Sequence, residues 1–198
     1  MAANDLCQRP LSSQCLLQLA ARLEGHADNV APALLGGCQV VVWDEEKVIA
    51  ASVSLPTDMK AVIFVPEVAM PTRRARSILP AMVSREDAVY HLGRVAMLVN
   101  ALATGQLEQL GVATRDRLHQ PERERIFPAM RHILSAARES GALGVFLSGG
   151  GSSILALARS GVDTIGTSMF SAAEKAGVRG SIRVTTPSSL GAHVVTTS

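Results

Sequence analysis

Apolar positions along this chain change their period several times, and each change marks an element. Leu16, Leu19, Ala20 and Leu23 recur at helical spacing behind Ser12 and Ser13, either of which can cap the helix, and Gly25 ends it. After Gly36-Gly37 the pattern turns to short β-rich runs. Cys38–Trp43 and Val48–Val53 flank the polar link Asp44-Glu45-Glu46-Lys47, which predicts a hairpin, and a third run, Lys60–Val65, stops at Pro66. A mostly helical stretch follows. Ser84 and Asp87 have capping-box spacing ahead of the stripe Val89, Leu92, Val95, Ala96 and Val99, and further helices are predicted over Leu107–Leu118 and Ile126–Glu139.

Leu143–Leu147 reads as a buried strand running into Ser148-Gly149-Gly150-Gly151-Ser152-Ser153. Periodicity alone leaves Ile154–Ala158 open between strand and helix. Val162, Ile165, Met169, Phe170 and Ala173 fit a helix, and Ile182–Val184 a final strand. The order of elements predicts an α+β fold with helices on one face of a mainly antiparallel sheet.

Composition narrows the possibilities. Of 198 residues 47% are hydrophobic but only 3% aromatic, so the core is expected to be aliphatic. Lys+Arg number 19 against 17 Asp+Glu, a balance that creates no strong field toward nucleic acid or a membrane surface. The three cysteines, Cys7, Cys15 and Cys38, cannot all pair and lack metal-ligand spacing; they are expected as small buried hydrophobes in a reducing cytoplasm. The N-terminus has no signal-peptide pattern, and no apolar run is long enough to span a bilayer.

Candidate chemistry begins at EGHADNVAPALLGG, Glu24–Gly37. Asn29 is placed to cap a short helix starting at Val30, with Pro32 in its first turn and Gly36 as its stop. Glu24, His26 and Asp28 stand just upstream and could bind an ammonium, a hydroxyl or a hydrated cation. By spacing alone the plainer account is a capped loop whose polar groups satisfy their own backbone.

This segment resembles the homoserine-pocket segment of homoserine kinases, members of the GHMP small-molecule kinases. The likeness continues through Thr72-Arg73-Arg74-Ala75-Arg76-Ser77-Ile78-Leu79-Pro80, Val83–Val89, Asp116–Arg123 and Leu147–Leu157, in family order and spacing. The resemblance implies a two-domain GHMP-kinase architecture: residues 1–55 as the remnant of an N-terminal domain of the ribosomal S5 domain 2 type, and 56–198 as a ferredoxin-like C-terminal α/β sandwich. It implies transfer of the γ-phosphoryl of ATP, with Mg²⁺, to the side-chain hydroxyl of L-homoserine, in the cytoplasm. Members are often dimers, so a homodimer is the implied assembly.

The same resemblance assigns roles to residues. Arg76 and Arg123 stand where two arginines hold the substrate carboxylate, a task that suits planar, bidentate guanidinium. RRAR and ERER are also ordinary surface patterns. Thr72 matches a threonine of the same pocket, and His26, Asp28 and Asn29 match the substrate-contacting trio. Asn29 is implied near the reacting hydroxyl and Asp28 near the ammonium, these two being the implied catalytic positions. Glu24 matches the acidic position for Mg²⁺. Ser148, Gly149, Gly150, Gly151, Ser152 and Ser153 match the loop beside substrate and phosphates, where glycine lets backbone approach a ligand.

Three departures from the family pattern carry expectations. Ser152 replaces a usual proline, loosening the loop. Glu122 puts a negative charge beside Arg123, expected to weaken its grip on a carboxylate. Arg73-Arg74 makes that helix start unusually basic. The family's Pro-x-x-x-Gly-Leu-Gly-Ser-Ser-Ala phosphate loop has no counterpart, and Met1–Asn4 matches the helix that follows it. Little kinase activity is therefore expected of these residues alone, with unpaired sheet edges around Val40–Trp43 and Val48–Val53 that favour association. A mevalonate-type small-alcohol kinase and a non-catalytic amino-acid-binding or dimerisation module are the competing readings.

Overall fold

The computed structural model describes residues 1–8, 10–67, 70 and 72–195, without the side chains of 72–74. The chain divides into two compact units, Met1–Leu55 with the tail from Pro187, and Pro56–Thr186.

The first unit contains α1 (Ala2–Leu6), α2 (Ser13–Glu24), α3 (Val30–Leu35), β1 (Cys38–Asp44) and β2 (Lys47–Val53). Ser12 caps α2 by accepting from the Cys15 amide at 3.2 Å, and Gly25 ends it in the left-handed region at φ 82°. The predicted hairpin forms with Cys38 opposite Val53 and Asp44 opposite Lys47. Leu17, Ala21, Ala27, Ala31 and Val48 make a small core beneath it. Among the described residues β1 and β2 pair only with each other, yet the outer edge is covered at one point. Gln18 accepts from the Val48 amide at 2.9 Å, while Gln14 and Gln18 both donate to the Val48 carbonyl, so α2 supplies the bonds of an absent neighbouring strand. The rest of the hairpin leaves Val42, Trp43 and Ile49 exposed.

The tail crosses the end of α3. The Gly37 amide donates to the Ser188 carbonyl and the Ala192 amide to that of Ala33. The backbones approach so closely that a Cβ on Gly191 would collide with the Leu34 carbonyl, and one on Gly36 with that of Ser189. Gly36 also turns the chain at φ 80°.

The second unit is built on β3 (Lys60–Pro66), β4 (Gly144–Leu147), β5 (Ile154–Ala158) and β6 (Gly180–Thr185), in the order β4-β5-β3-β6 with every neighbouring pair antiparallel. This is the ferredoxin-like arrangement. Its helices are α4 (Thr72–Ser77), α5 (Arg85–Thr104), α6 (Leu110–Ala113), α7 (Gln120–Glu124), α8 (Ala129–Glu139) and α9 (Val162–Lys175). The last two pack on the sheet over Val62, Phe64, Ile133, Val145, Ile165 and Met169. The core is aliphatic apart from Phe64 at its centre, as the composition requires. Ile154–Ala158 resolves as a strand whose alternate residues Ile154, Ala156 and Ala158 are buried.

Three expectations are corrected. The helix over Leu107–Leu118 ends at Ala113, because the Asp116 carboxylate collects the amides of Leu118, His119 and Gln120 and folds the backbone into a turn. The apolar stripe of α5 faces outward: Ser84 caps the helix, but Val89 is 63% and Leu92 72% exposed. Cys7 and Cys15 are exposed and Cys38 only half-buried, so none is a core hydrophobe. Among the described residues no helix is long and apolar enough to cross a membrane.

Replacing fully buried Ile133 by Ala is expected to cost about 2–5 kcal/mol, measured by urea unfolding with far-UV circular dichroism. Gly191→Ala is expected to cost about 1–3 kcal/mol through overpacking against α3. Trp43, the single tryptophan, sits in the first unit and reports it; an unchanged Trp43 transition would show that the tail does not hold α3.

Candidate functional site

The candidate residues fall in both units. In the first, Glu24 ends α2 and the loop from there to α3 carries His26, Asp28 and Asn29. The largely buried His26 ring lies between two acids. Its Nδ1 is 2.8 Å from Asp28 Oδ1, a close polar contact without hydrogen-bond alignment, and its Nε2 is 3.7 Å from Glu24 Oε1. Asp28 Oδ1 also accepts from the Asn29 amide at 2.9 Å. Asn29 precedes α3, but its side chain makes no capping bond. The Asp28 bond goes to the Asn29 backbone N–H ahead of the helix, so neither side chain caps α3, and the exposed Asn29 side-chain amide is left for other partners. Among the described residues no group of three His, Cys, Asp or Glu side chains is placed to hold a metal ion.

In the second unit Arg123 organises the site. It is only 8% exposed, on α7, and donates from Nη1 to the Gly149 carbonyl at 3.0 Å and from Nε to the Ala75 carbonyl at 3.4 Å. One guanidinium thus joins the glycine loop to α4, beside the exposed Arg76. Burial lowers the Arg123 pKa, the nearby Asp116 charge opposes that shift, and the positive charge of Arg76 adds to it. The two like charges therefore stand close enough to feel each other, and an anion beside them would be attracted by both. Glu122 does not draw on Arg123: its carboxylate meets Arg125 Nη1 at 2.7 Å, so the expected weakening has no structural basis. The Thr72 side chain, with those of Arg73 and Arg74, lies outside the described residues, although Thr72 opens α4.

The glycine loop is closed by two bonds, Ser148 N–H to the Ser153 carbonyl at 2.8 Å and Gly151 N–H to the Ser148 carbonyl at 3.0 Å. A closed loop replaces the looser one expected from Ser152, which is itself buried. Gly151, at φ 92°, packs where a Cβ would reach 3.0 Å from the Leu147 side chain. Gly149 and Gly150 donate to no other described group, so their amides are open to oxygen atoms of a ligand.

Asp116 and Gln120 were not singled out in the sequence. Besides its backbone bonds, the Asp116 carboxylate lies 3.5 Å from His91 Nε2 and 3.4 Å from His119 Nδ1. Gln120 Oε1 accepts from the Leu147 amide, tying the start of α7 to the strand that enters the glycine loop. The signal available in the sequence was an acid four residues before the start of α7, read there as part of a longer helix. Burial pushes the Asp116 carboxyl up, but the His119 hydrogen bond, the His119 and Leu118 amides and the His119 charge outweigh it and hold the group well below the usual carboxylate range. A carboxyl depressed in the folded state contributes stability that is complete above its unfolded pKa of about 4 and is lost as pH falls below it. Asp116→Ala is therefore expected to cost about 1–2 kcal/mol at neutral pH, as for a lost cap, with the deficit shrinking in acid. Urea titrations at several pH values check this, and a pH-independent deficit would refute it.

Comparison with known proteins agrees with this geometry. Residues 98–177 match the family model described as GHMP kinases C terminal. The chain is 40% identical over 195 residues to a homoserine kinase of Moorella thermoacetica, covering 98% of this chain and 66% of that protein. It is 46% identical over 160 residues to a homoserine kinase of Desulfitobacterium hafniense, covering 81% and 54%. The crystal structure of homoserine kinase from Cytophaga hutchinsonii superposes with a TM-score of 0.88 at 30% identity, over 96% of this chain and 62% of that one. The chain thus spans between about half and two thirds of the length of these relatives. A conserved architecture, a matched C-terminal region and extensive sequence identity lead to one assignment: the chain belongs to the GHMP kinase family.

Proposed function

We propose that this chain is part of a homoserine kinase, which transfers the γ-phosphoryl group of ATP to the side-chain hydroxyl of L-homoserine. The observation that carries the reading is the arginine pair. Arg123 is buried with backbone carbonyls as its bonded partners and still has N–H groups to offer, and Arg76 stands near it. Such a pair suits a substrate carboxylate, gripped through parallel charge-assisted bonds. Homoserine kinases among the relatives carry the same activity in their names.

The family resemblance assigns groups of the first unit to the other two ends of the substrate, and their chemistry suits those roles. The exposed Asn29 amide suits the reacting hydroxyl, as donor or acceptor. Asp28 holds the Asn29 amide through Oδ1 and offers Oδ2 to an ammonium. Phosphoryl transfer depends mainly on positioning and charge stabilisation, so Asp28 needs no role as general base. The open Gly149 and Gly150 amides suit phosphate oxygens. Glu24 is 57% exposed and within reach of a hydrated Mg²⁺, an ion that takes one or two protein carboxylates and otherwise water and phosphate. Mg²⁺ there would neutralise charge developing between the phosphates.

Calorimetric titration with L-homoserine tests the reading. Binding is expected, with Arg76→Gln weakening it about tenfold to a hundredfold, the range for lost bonds to a charged partner. Mevalonate, which has a carboxylate but no ammonium, is expected not to compete. Equal competition by mevalonate would replace the substrate, and unchanged homoserine affinity in Arg76→Gln would remove the arginine pair from the site.

A further inference from the structure

A cavity in the Pro56–Thr186 unit has no part in the reading above. It encloses about 440 Å³ between α5, α6, α7 and α8. Its floor is apolar, from Pro121 and the buried Met130 and Leu134. Arg115, Arg131 and Arg138 stand around it, with the carboxylates of Glu124 and Asp116. The charges do not cancel locally. Arg131 pairs with Glu124 at 3.6 Å, and Asp116 is occupied by backbone amides and two histidines. Among the described residues no carboxylate pairs with Arg115 or Arg138.

These two guanidiniums feel each other: burial lowers the Arg138 pKa first, and the Arg115 charge lowers it further. The surroundings add more positive charge. Tyr90, on the cavity wall, carries the Arg94 and Arg117 guanidiniums at 3.2 and 4.0 Å from its ring centroid. Arg117 is balanced by Glu86, whereas Arg94 has a buried Nε without any partner. The Arg115 and Arg138 side chains are both exposed, so water screens their repulsion, and an anion between them would gain charge-assisted bonds from each.

We propose that this cavity binds a small organic carboxylate with an aliphatic body, its headgroup held between Arg115 and Arg138 and its hydrocarbon on Met130 and Leu134. A phosphate dianion suits it less, because Glu124 and Asp116 add negative charge to the walls and the floor offers nothing to a bare inorganic anion. The occupant touches Gln120 and Asp116, the residues that set α7 and the strand entering the glycine loop. The site is independent of the homoserine reading.

The test is a titration of the full ¹⁵N-labelled chain with isovalerate, following arginine Nε–Hε resonances. Saturating shifts are expected at Arg115 and Arg138 with a Kd of about 1 mM or below. Arg138→Gln and, separately, Arg115→Gln are expected to weaken binding about tenfold or more, while Arg76→Gln leaves it unchanged. Absence of saturating shifts overturns the proposal. So does equal binding of isoamyl alcohol, which would make the cavity merely apolar, or tighter binding of inorganic phosphate, which would make it a bare-anion site. Sensitivity to Arg76→Gln alone would place the carboxylate at the other arginine pair, and that outcome also overturns it.

Discussion

The second unit depends on where a buried guanidinium finds its acceptors. Arg123 cannot shed its charge, so its N–H groups must be met from within. Two backbone carbonyls do so, one from the glycine loop and one from α4, and Asp116 supplies the opposing charge. Each of these elements is short or irregular and has little packing of its own. The arginine makes them mutually dependent, so a loop after β4, a helix of six residues and a helix of five hold one arrangement.

Beneath that polar layer the framework is conventional. An antiparallel sheet with two helices on one face buries an aliphatic core, and Gln120 connects this core to the irregular layer through the Leu147 amide. Arg123 and Gln120 lie three residues apart on α7, one reaching the tip of the glycine loop and the other its root. The short helix therefore transmits the rigidity of the sheet to backbone groups that a ligand can touch.

Much of the fold was legible because periodicity and punctuation agreed. The hairpin of β1 and β2, the Ser12 and Ser84 caps and the Gly25 stop needed only local chemistry, whereas Ile154–Ala158, open by periodicity, needed its pairing with β3 and β4 to become a strand. What escaped was decided by groups distant in sequence or by competition among neighbours. Asp116 broke a helix whose apolar spacing continued, because three amides converging on one carboxylate outweigh propensity. Asn29 has the residue type and place of a cap, yet its side chain makes no capping bond, which residue type alone could not reveal. The outward stripe of α5 has the same pattern as a buried one. The site residues were named through family resemblance; their contacts, above all Arg123 as a bridge and Glu122 turned to Arg125, required the fold.

The crossing of the tail over α3 imposes an order on assembly. The Gly37 and Ala192 amides close a loop spanning most of the chain, and the entropy of that closure is met only after the intervening unit is made. During synthesis α3 emerges well before the backbone that locks its end, with the whole second unit made in between. The end of α3, next to the loop bearing Asp28 and Asn29, is therefore fastened only after the second unit has been made, and a chain halted before Ser188 would still have that end open.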